Sequence, residues 1–171
     1  MVANYLRLIA FALGLLVGVQ VPAFVDQYAK RVSAHQIEVT RNFAGFQETA
    51  NRYFDGSVEA LIAHHETSAD PAFKDEGRSI RQMYERLKLL TAELAAMRGP
   101  LVKQVFHVIF AANRELLGET RAEYSYTVPL NPAAMLSGVV TGALLALVVE
   151  ALLAGGTRLL RPRRQRGVFA R

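Results

Sequence analysis

Residues 8–25 read LIAFALGLLVGVQVPAFV, and residues 133–153 read AAMLSGVVTGALLALVVEALL. Each stretch is close to the roughly 20 apolar residues that a helix needs to cross a hydrocarbon layer about 30 Å thick. A charged segment separates the two stretches, so the sequence predicts an all-α membrane protein with a polar domain between two anchors. The predicted parts are transmembrane helix 1 in residues 1–25, an α-helical domain in residues 26–131, transmembrane helix 2 in residues 132–154 and a basic tail in residues 155–171.

The charge of the chain is concentrated at its ends. The formal net charge is +5, yet residues 26–131 hold 13 Lys and Arg against 14 Asp and Glu. Because the positive excess flanks the apolar stretches, it indicates membrane orientation rather than nucleic-acid binding. The chain has no cysteine, which excludes disulfides and thiolate chemistry.

The basic tail predicts the orientation of both anchors. Lys and Arg are retained on the cytoplasmic side of short flanking loops, so the C-terminus should be cytoplasmic. With two spans the N-terminus is then cytoplasmic too, and the middle domain is expected outside the cytoplasm, which in a bacterium means the periplasm. Some tail arginines are also candidates for contact with lipid headgroups, at about 1 kcal/mol per charge, although topology alone explains them equally well. These are Arg161, Arg163, Arg164 and Arg166.

A cleaved signal peptide is the alternative interpretation of the first apolar stretch. Val21-Pro22-Ala23 offers small residues of the kind that a signal peptidase requires. The apolar run is longer than a usual signal-peptide core, and Arg7 is the only charged side chain before it. Either interpretation leaves the middle domain outside the cytoplasm.

Both apolar stretches carry a ridge of small residues spaced four apart, the pattern by which membrane helices approach closely. The ridges are Ala10, Gly14 and Gly18 in the first stretch and Ala134, Gly138, Gly142 and Ala146 in the second. An antiparallel hairpin would align them as Ala10 with Ala146, Gly14 with Gly142 and Gly18 with Gly138. A homodimer through the same glycines is the main alternative.

The hairpin register also predicts an ion pair between Arg7 and Glu150. Glu150 continues the second ridge, and Arg7 precedes the first, so both fall at nearly equal depth near the cytoplasmic boundary. An isolated charge there is unfavourable, which favours pairing. Independent snorkelling of both side chains to the interface is the alternative.

The middle segment shows helical periodicity and almost no strand pattern, which predicts an antiparallel helical bundle. Asp55-Gly56, Ser57, Asp70-Pro71 and Gly99-Pro100 mark helix ends and starts. Three apolar faces are predicted to form the core. They comprise Tyr28, Val32, His35, Val39, Phe43, Phe46, Ala50 and Tyr53; Ile80, Met83, Tyr84, Leu87, Leu90, Leu94 and Met97; and Leu101, Val105, Val108, Ile109 and Ala112.

His64 and His65 are the first candidates for a metal site, but they are weak ones. Adjacent helical residues point about 100° apart, and a zinc or iron site needs three or four converging ligands. His107 lies in an apolar run and is expected to be a core or rim histidine with one hydrogen-bond partner. Without a nucleophile elbow, a phosphate loop or an HExxH motif, the sequence predicts no enzyme and no cofactor.

Several short segments resemble the proteobacterial family known as domain of unknown function 2937. They are residues 20–28 (QVPAFVDQY), 52–56 (RYFDG), 61–65 (LIAHH), 70–73 (DPAF) and 128–130 (VPL). The resemblance implies a small inner-membrane protein of Gram-negative bacteria with no assigned activity and no catalytic residues to transfer.

Three functional hypotheses follow. The leading one is a non-enzymatic interaction or scaffolding module, anchored in lipid, that binds another envelope protein or itself. A periplasmic ligand-sensing domain that signals through the hairpin is the first alternative. A metal-dependent hydrolase or metal carrier that uses His64 and His65 is the second.

Overall fold

The protein is all-helical, as the sequence predicts. The structure, a computed structural model, describes residues 2–127, 129 and 131–159, and in these residues it has six α-helices and no strand. Two of them, α1 and α6, are long and apolar enough to cross a membrane. The helices are α1 (Val2–Tyr53), α2 (Val58–Glu66), α3 (Pro71–Ala96), α4 (Leu101–Phe110), α5 (Arg114–Ala122) and α6 (Pro132–Leu159).

Polar side chains begin the second and third helices at the predicted positions. The Ser57 hydroxyl accepts a hydrogen bond from the backbone N–H of Ala60 at 3.1 Å. The Asp70 carboxylate accepts one from the Ala72 N–H at 2.8 Å, and Pro71 occupies the first helical position. These contacts satisfy N–H groups that have no partner within the helix, and they confirm both predicted starts.

Glycines follow the ends of α1 and α3. Gly56 has a φ of 84° and Gly99 a φ of 113°. Glycine adopts this left-handed conformation without a steric penalty, whereas a side chain would be strained there. The two sequence signals Asp55-Gly56 and Gly99-Pro100 therefore mark real helix ends.

The chain divides into two compact units. Unit 1 comprises residues 1–23 and 125–171, and unit 2 comprises residues 24–124. Unit 1 contains the first part of α1 together with α6. Unit 2 contains the rest of α1 and the helices α2 to α5.

Two apolar clusters form the core of unit 2. One groups the residues near the start of unit 2 with the later part of α3 and with α4 and α5, and the other groups the end of α1 with α2 and the earlier part of α3. The first contains Val25, Tyr28, Val32, Val39, Leu90, Met97, Val108 and Leu116, and the second contains Phe43, Ala50, Val58, Leu61, Ile62 and Ile80.

Two residues predicted for the core are exposed instead. Tyr53, the last residue of α1, has 69% of its surface exposed. Ile109 faces outward because Val105 and Val108 already occupy the inner side of α4. Periodicity identified an apolar helix in α4 but could not show that both of its sides are apolar.

Candidate functional site

A buried polar cluster joins four helices of unit 2. It is built around one carboxylate oxygen, Glu93 Oε1 of α3, which accepts a hydrogen bond from the hydroxyl of Tyr28 in α1. His107 Nε2 of α4 lies 2.7 Å from the same oxygen. The backbone N–H of Asn113, the cap of α5, donates to the Tyr28 hydroxyl at 3.0 Å and lies 3.3 Å from Glu93 Oε1.

The cluster shifts the ionisation of its members. Burial alone would raise the pKa of Glu93, but hydrogen bonds from Tyr28 and His107 and the Asn113 N–H together hold that pKa below its ordinary value. Burial, followed by the hydrogen bond to the Glu93 carboxylate, raises the pKa of Tyr28. Glu93 is therefore a charged acceptor, and its negative charge binds three donors from three other parts of the chain.

His107 confirms the sequence prediction of a histidine with a hydrogen-bond partner, but Glu93 was not singled out. The signal was present, because Glu93 lies three residues after Leu90 and four before Met97 on the apolar face of α3. A carboxylate on an apolar face needs hydrogen-bond partners in the fold. Which partners it has depends on tertiary contacts that periodicity does not reveal.

A second polar cluster links α1 to α5. Arg31 Nη1 lies 3.2 Å from Glu119 Oε2, and Arg31 also contacts the Glu123 carboxylate. His35 Nε2 lies 2.9 Å from Glu119 Oε2. Hydrogen bonds from His35 and then Arg31 hold the pKa of Glu119 below its ordinary value. The cluster pairs opposite charges on α1 and α5, so its role is to hold these two helices together.

An open groove of about 400 Å³ lies between α3 and α5. Its floor contains buried Leu90 and Leu116, and Leu89 is 47% exposed at its edge. Arg86 and Glu115 form an ion pair across the groove, with Nη2 3.0 Å from Oε1. An apolar floor with a charged rim is the general form of a protein-binding surface.

The structure describes both histidines of the pair, and their contacts are with aromatic rings and one carboxylate. His64 is exposed and its ring lies 5.4 Å from the ring of Phe54. His65 Nδ1 lies 3.4 Å from Glu76 Oε2, while Glu66 is held by Arg81 through two hydrogen bonds of 2.7 and 2.5 Å. Among the described residues no group of three or more His, Cys, Asp or Glu side chains could hold a metal ion.

In unit 1 the small residues of α1 and α6 lie against each other. A Cβ on Gly14 would lie 2.8 Å from Gly142 Cα, and a Cβ on Gly142 would lie 2.8 Å from the carbonyl oxygen of Phe11. For Gly138 the nearest atom would be Cγ1 of Val19, at 2.5 Å. These distances are shorter than real Cβ contacts, so only glycine permits this approach of the two backbones.

The other ridge residues are placed less uniformly. Ala10 and Ala134 are buried, while Ala146 is half-buried. A Cβ on Gly18 would have its nearest atoms in Ser137 and Thr141, at 2.7 Å. Gly18 therefore packs between Ser137 and Thr141 and not against Gly138, the partner that a strict four-residue register predicts, because Gly138 faces Val19 and Leu15.

The structure brings Arg7 and Glu150 together. Arg7 Nη2 lies 3.1 Å from Glu150 Oε1, with 41% and 52% of the two side chains exposed. The order of contacts along the helices is opposite, since early α1 residues meet late α6 residues. The predicted headgroup contacts Arg161, Arg163, Arg164 and Arg166 lie outside the described residues.

Large apolar side chains cover the outside of unit 1. They lie on the sides of both helices that face away from the glycine contacts, and they are exposed. Those of α1 are Tyr5, Leu6, Leu8, Ile9, Leu13, Leu16 and Val17, and those of α6 are Met135, Leu136, Val139, Val140, Leu144, Leu145, Leu147, Val148 and Leu152.

These features define a class: an all-helical protein with two helices suited to membrane spanning and a second helical unit that has an apolar core and a partly buried polar cluster. Within that class, the chain belongs to the family described as protein of unknown function (DUF2937), which matches residues 2–162. The family resemblance noted in the sequence is thereby confirmed. Neither the comparison with curated proteins nor that with solved structures gives a match.

Proposed function

We propose that the protein is a two-pass inner-membrane protein whose periplasmic unit 2 serves as a non-enzymatic interaction or scaffolding module of the bacterial envelope. Its spans, α1 up to about residue 25 and α6, form an antiparallel hairpin with both termini in the cytoplasm. Membrane lipids surround the hairpin, and a second envelope protein binds unit 2.

One observation supports the proposed membrane anchor. In unit 1 the exposed surface consists of large apolar side chains, and the contact between the two helices consists of small residues. Glycines occupy the contact between the two helices, while leucines such as Leu13, Leu136 and Leu152 face outward. A helix pair in water would place its large apolar side chains in the contact, because burial of their surface drives folding there. Lipid solvates the outer surface and leaves close backbone packing as the main attraction between the helices.

The Arg7–Glu150 pair supports the proposed hairpin, because it brings the start of α1 and the end of α6 to the same side of the membrane. Two opposite charges in contact cost less near a membrane boundary than two separate ones. Together with the arginines that follow α6 in the sequence, the pair favours the cytoplasmic side for both helix ends.

The groove between α3 and α5 supports the interaction role. The half-exposed Leu89 offers an apolar contact, and the Arg86–Glu115 pair offers both signs of charge beside it. We expect the occupant to be a segment of an envelope protein that places an apolar side chain on Leu89 and polar groups over the rim.

A position-specific crosslinking experiment tests the interaction role in the full-length protein. A photoreactive amino acid replaces Leu89 in one variant and Ile37 in a matched control, because Ile37 is 46% exposed and outside the groove. We expect the Leu89 probe to give one discrete adduct whose crosslinked peptide identifies the partner, and the Ile37 probe to give far less. Equal labelling at both positions would contradict a partner in the groove.

The same groove supports ligand sensing as the second candidate function. Its volume of about 400 Å³ falls within the roughly 300–1,000 Å³ of small-molecule sites. A small molecule that raised the melting temperature and also blocked crosslinking at Leu89 would favour this candidate. A peptide adduct that no small molecule displaces would favour the scaffold.

A further inference from the structure

The helix α4 has a second apolar side that no part of unit 2 covers. Its inner side packs into the first core cluster through Leu101, Val105 and Val108. Its outer side, the α4 face, comprises Val102, Phe106, Ile109 and Phe110, which are 67%, 59%, 64% and 77% exposed. The rings of Phe106 and Phe110 stack with centroids 6.0 Å apart.

The α4 face belongs to the end of unit 2 from which both chain connections leave. Phe24 and Tyr124, the first and last residues of unit 2, have ring centroids 5.2 Å apart. Asn113, three residues after α4, donates to Tyr28, only four residues or about 6 Å of helix beyond Phe24. At the other end of α4, Met97 precedes the α3–α4 turn and packs in the same cluster as Val25.

The charges around α4 have one sign. Between Glu93 and Glu115 the sequence contains Arg98, Lys103 and Arg114 and no acidic residue. All three cations are exposed, and none forms an ion pair within the part of the chain that the structure describes. An apolar helix face flanked by unpaired cations is the pattern of helices that lie in the interface of an anionic membrane.

We propose that the α4 face is a membrane-interface surface, which inserts Val102, Phe106, Ile109 and Phe110 at the boundary between the headgroups and the acyl chains. This inference rests on the proposed anchor, because Phe24 lies at the end of the first span, and the continuous helix α1 therefore keeps this end of unit 2 near the lipid. The expected occupant is a bilayer surface that contains anionic phospholipid, with Arg98 and Lys103 near the phosphates. The surface would give unit 2 a lipid contact that is separate from the two spans.

A fluorescence experiment on the full-length protein in vesicles of phosphatidylethanolamine and phosphatidylglycerol tests this proposal. The chain has no cysteine, so Phe106→Cys provides a single site for an environment-sensitive label. Ile37→Cys is the water-exposed control, and Val17→Cys is the reference inside the span. We expect aqueous iodide to quench the Phe106 label several-fold less than the Ile37 label, and a lipid with a quencher near its headgroup to quench it strongly.

Three other results would each overturn the proposal. They differ in whether the proposed anchor still stands. If iodide reaches the Phe106 and Ile37 labels equally while the Val17 label is protected, α4 is not in the interface and the anchor stands. If the Phe106 label is protected from iodide but unaffected by the lipid quencher, protein covers the face, as in a dimer of two copies. If iodide also reaches the Val17 label, the proposed anchor itself is wrong. A Phe110→Cys variant repeats the measurement in case the Phe106 label disturbs folding.

Discussion

At the scale of single residues, Glu93 connects three other parts of unit 2 through one carboxylate oxygen. Its side chain is only 11% exposed. One of its oxygens accepts a hydrogen bond from the Tyr28 hydroxyl and lies close to His107 Nε2 and the Asn113 backbone N–H. Removal of a buried acceptor leaves its donors without partners, which costs about 1–3 kcal/mol for each group. Arg7 and Glu150 in unit 1 are more exposed than Glu93, and they contact each other.

Replacement of Glu93 should destabilise unit 2 in a way that depends on pH. We expect Glu93→Leu to lower the free energy of unfolding by about 1–3 kcal/mol at neutral pH, because the Tyr28 hydroxyl and His107 lose their acceptor. The folded-state pKa of Glu93 lies below the ordinary value of 4.5, so its charge stabilises the fold above that value. This stabilisation is lost as the pH falls from about 4.5 through the folded pKa. Thermal unfolding of the full-length protein in detergent, followed by circular dichroism across this range, measures both effects.

Two further variants separate the charge of Glu93 from its shape. Glu93→Gln keeps an acceptor oxygen of similar size, so we expect a smaller loss at neutral pH and a weaker dependence on acid. Glu38→Gln, at an exposed position of α1, serves as the control. A Glu93→Leu variant as stable as the Glu38→Gln variant would refute the role assigned to the cluster.

At the scale of helices, the contact between α1 and α6 depends on the absence of side chains. Gly14 and Gly142 allow a backbone approach that a Cβ on either would block. In lipid such close packing replaces the hydrophobic drive, because lipid tails are as apolar as the side chains. The large apolar residues on the outer faces are exposed and contribute little to this contact.

Gly142→Leu should therefore weaken the pairing of the two helices, whereas Gly155→Leu should not. A Cβ on Gly142 would lie 2.8 Å from the Phe11 carbonyl oxygen, but a Cβ on Gly155 meets nothing within 4 Å. Overpacking of this kind costs about 1–3 kcal/mol. In a variant with Arg7→Cys and Glu150→Cys, we expect a short thiol crosslinker to join the two positions within one chain, and Gly142→Leu to reduce the yield. Equal yields with both leucine variants, or links only between chains, would count against the hairpin.

At the scale of the whole molecule, the distribution of charge predicts the topology. The excess of Arg lies beyond α6 and before the first apolar stretch, while residues 26–131 are nearly neutral. Since basic flanks are retained in the cytoplasm, the two spans should place the middle segment in the periplasm.

Reporter fusions measure this topology directly. We expect alkaline phosphatase fused after residue 75 to be active and a fluorescent protein fused to the C-terminus to fluoresce. Alkaline phosphatase at the C-terminus is the matched control and should be inactive. The reverse pattern, with activity only at the C-terminal fusion, would invert the proposed orientation and remove the periplasmic role of unit 2.

The sequence by itself determined the all-helical character, the two long apolar helices and the helix starts at Ser57 and Asp70. These features depend on interactions between residues a few positions apart: capping contacts, glycine conformations and apolar periodicity. The family was recognisable for the same reason, from short local segments that the match over residues 2–162 confirms. The spacing of the small residues is also visible in the local sequence. The packing of Gly18 against Ser137 and Thr141 is not.

The tertiary structure alone decided which distant polar groups of unit 2 meet and which apolar side of α4 lies outside. Tyr28 and Glu93 are separated by 65 residues in the chain, so their contact depends on how four helices pack rather than on any local pattern. The outward orientation of Ile109 was decided in the same way, because a helix with two apolar sides can bury either one. Local energies fix where helices begin and end, whereas contacts between distant residues select the side that each helix turns to the core.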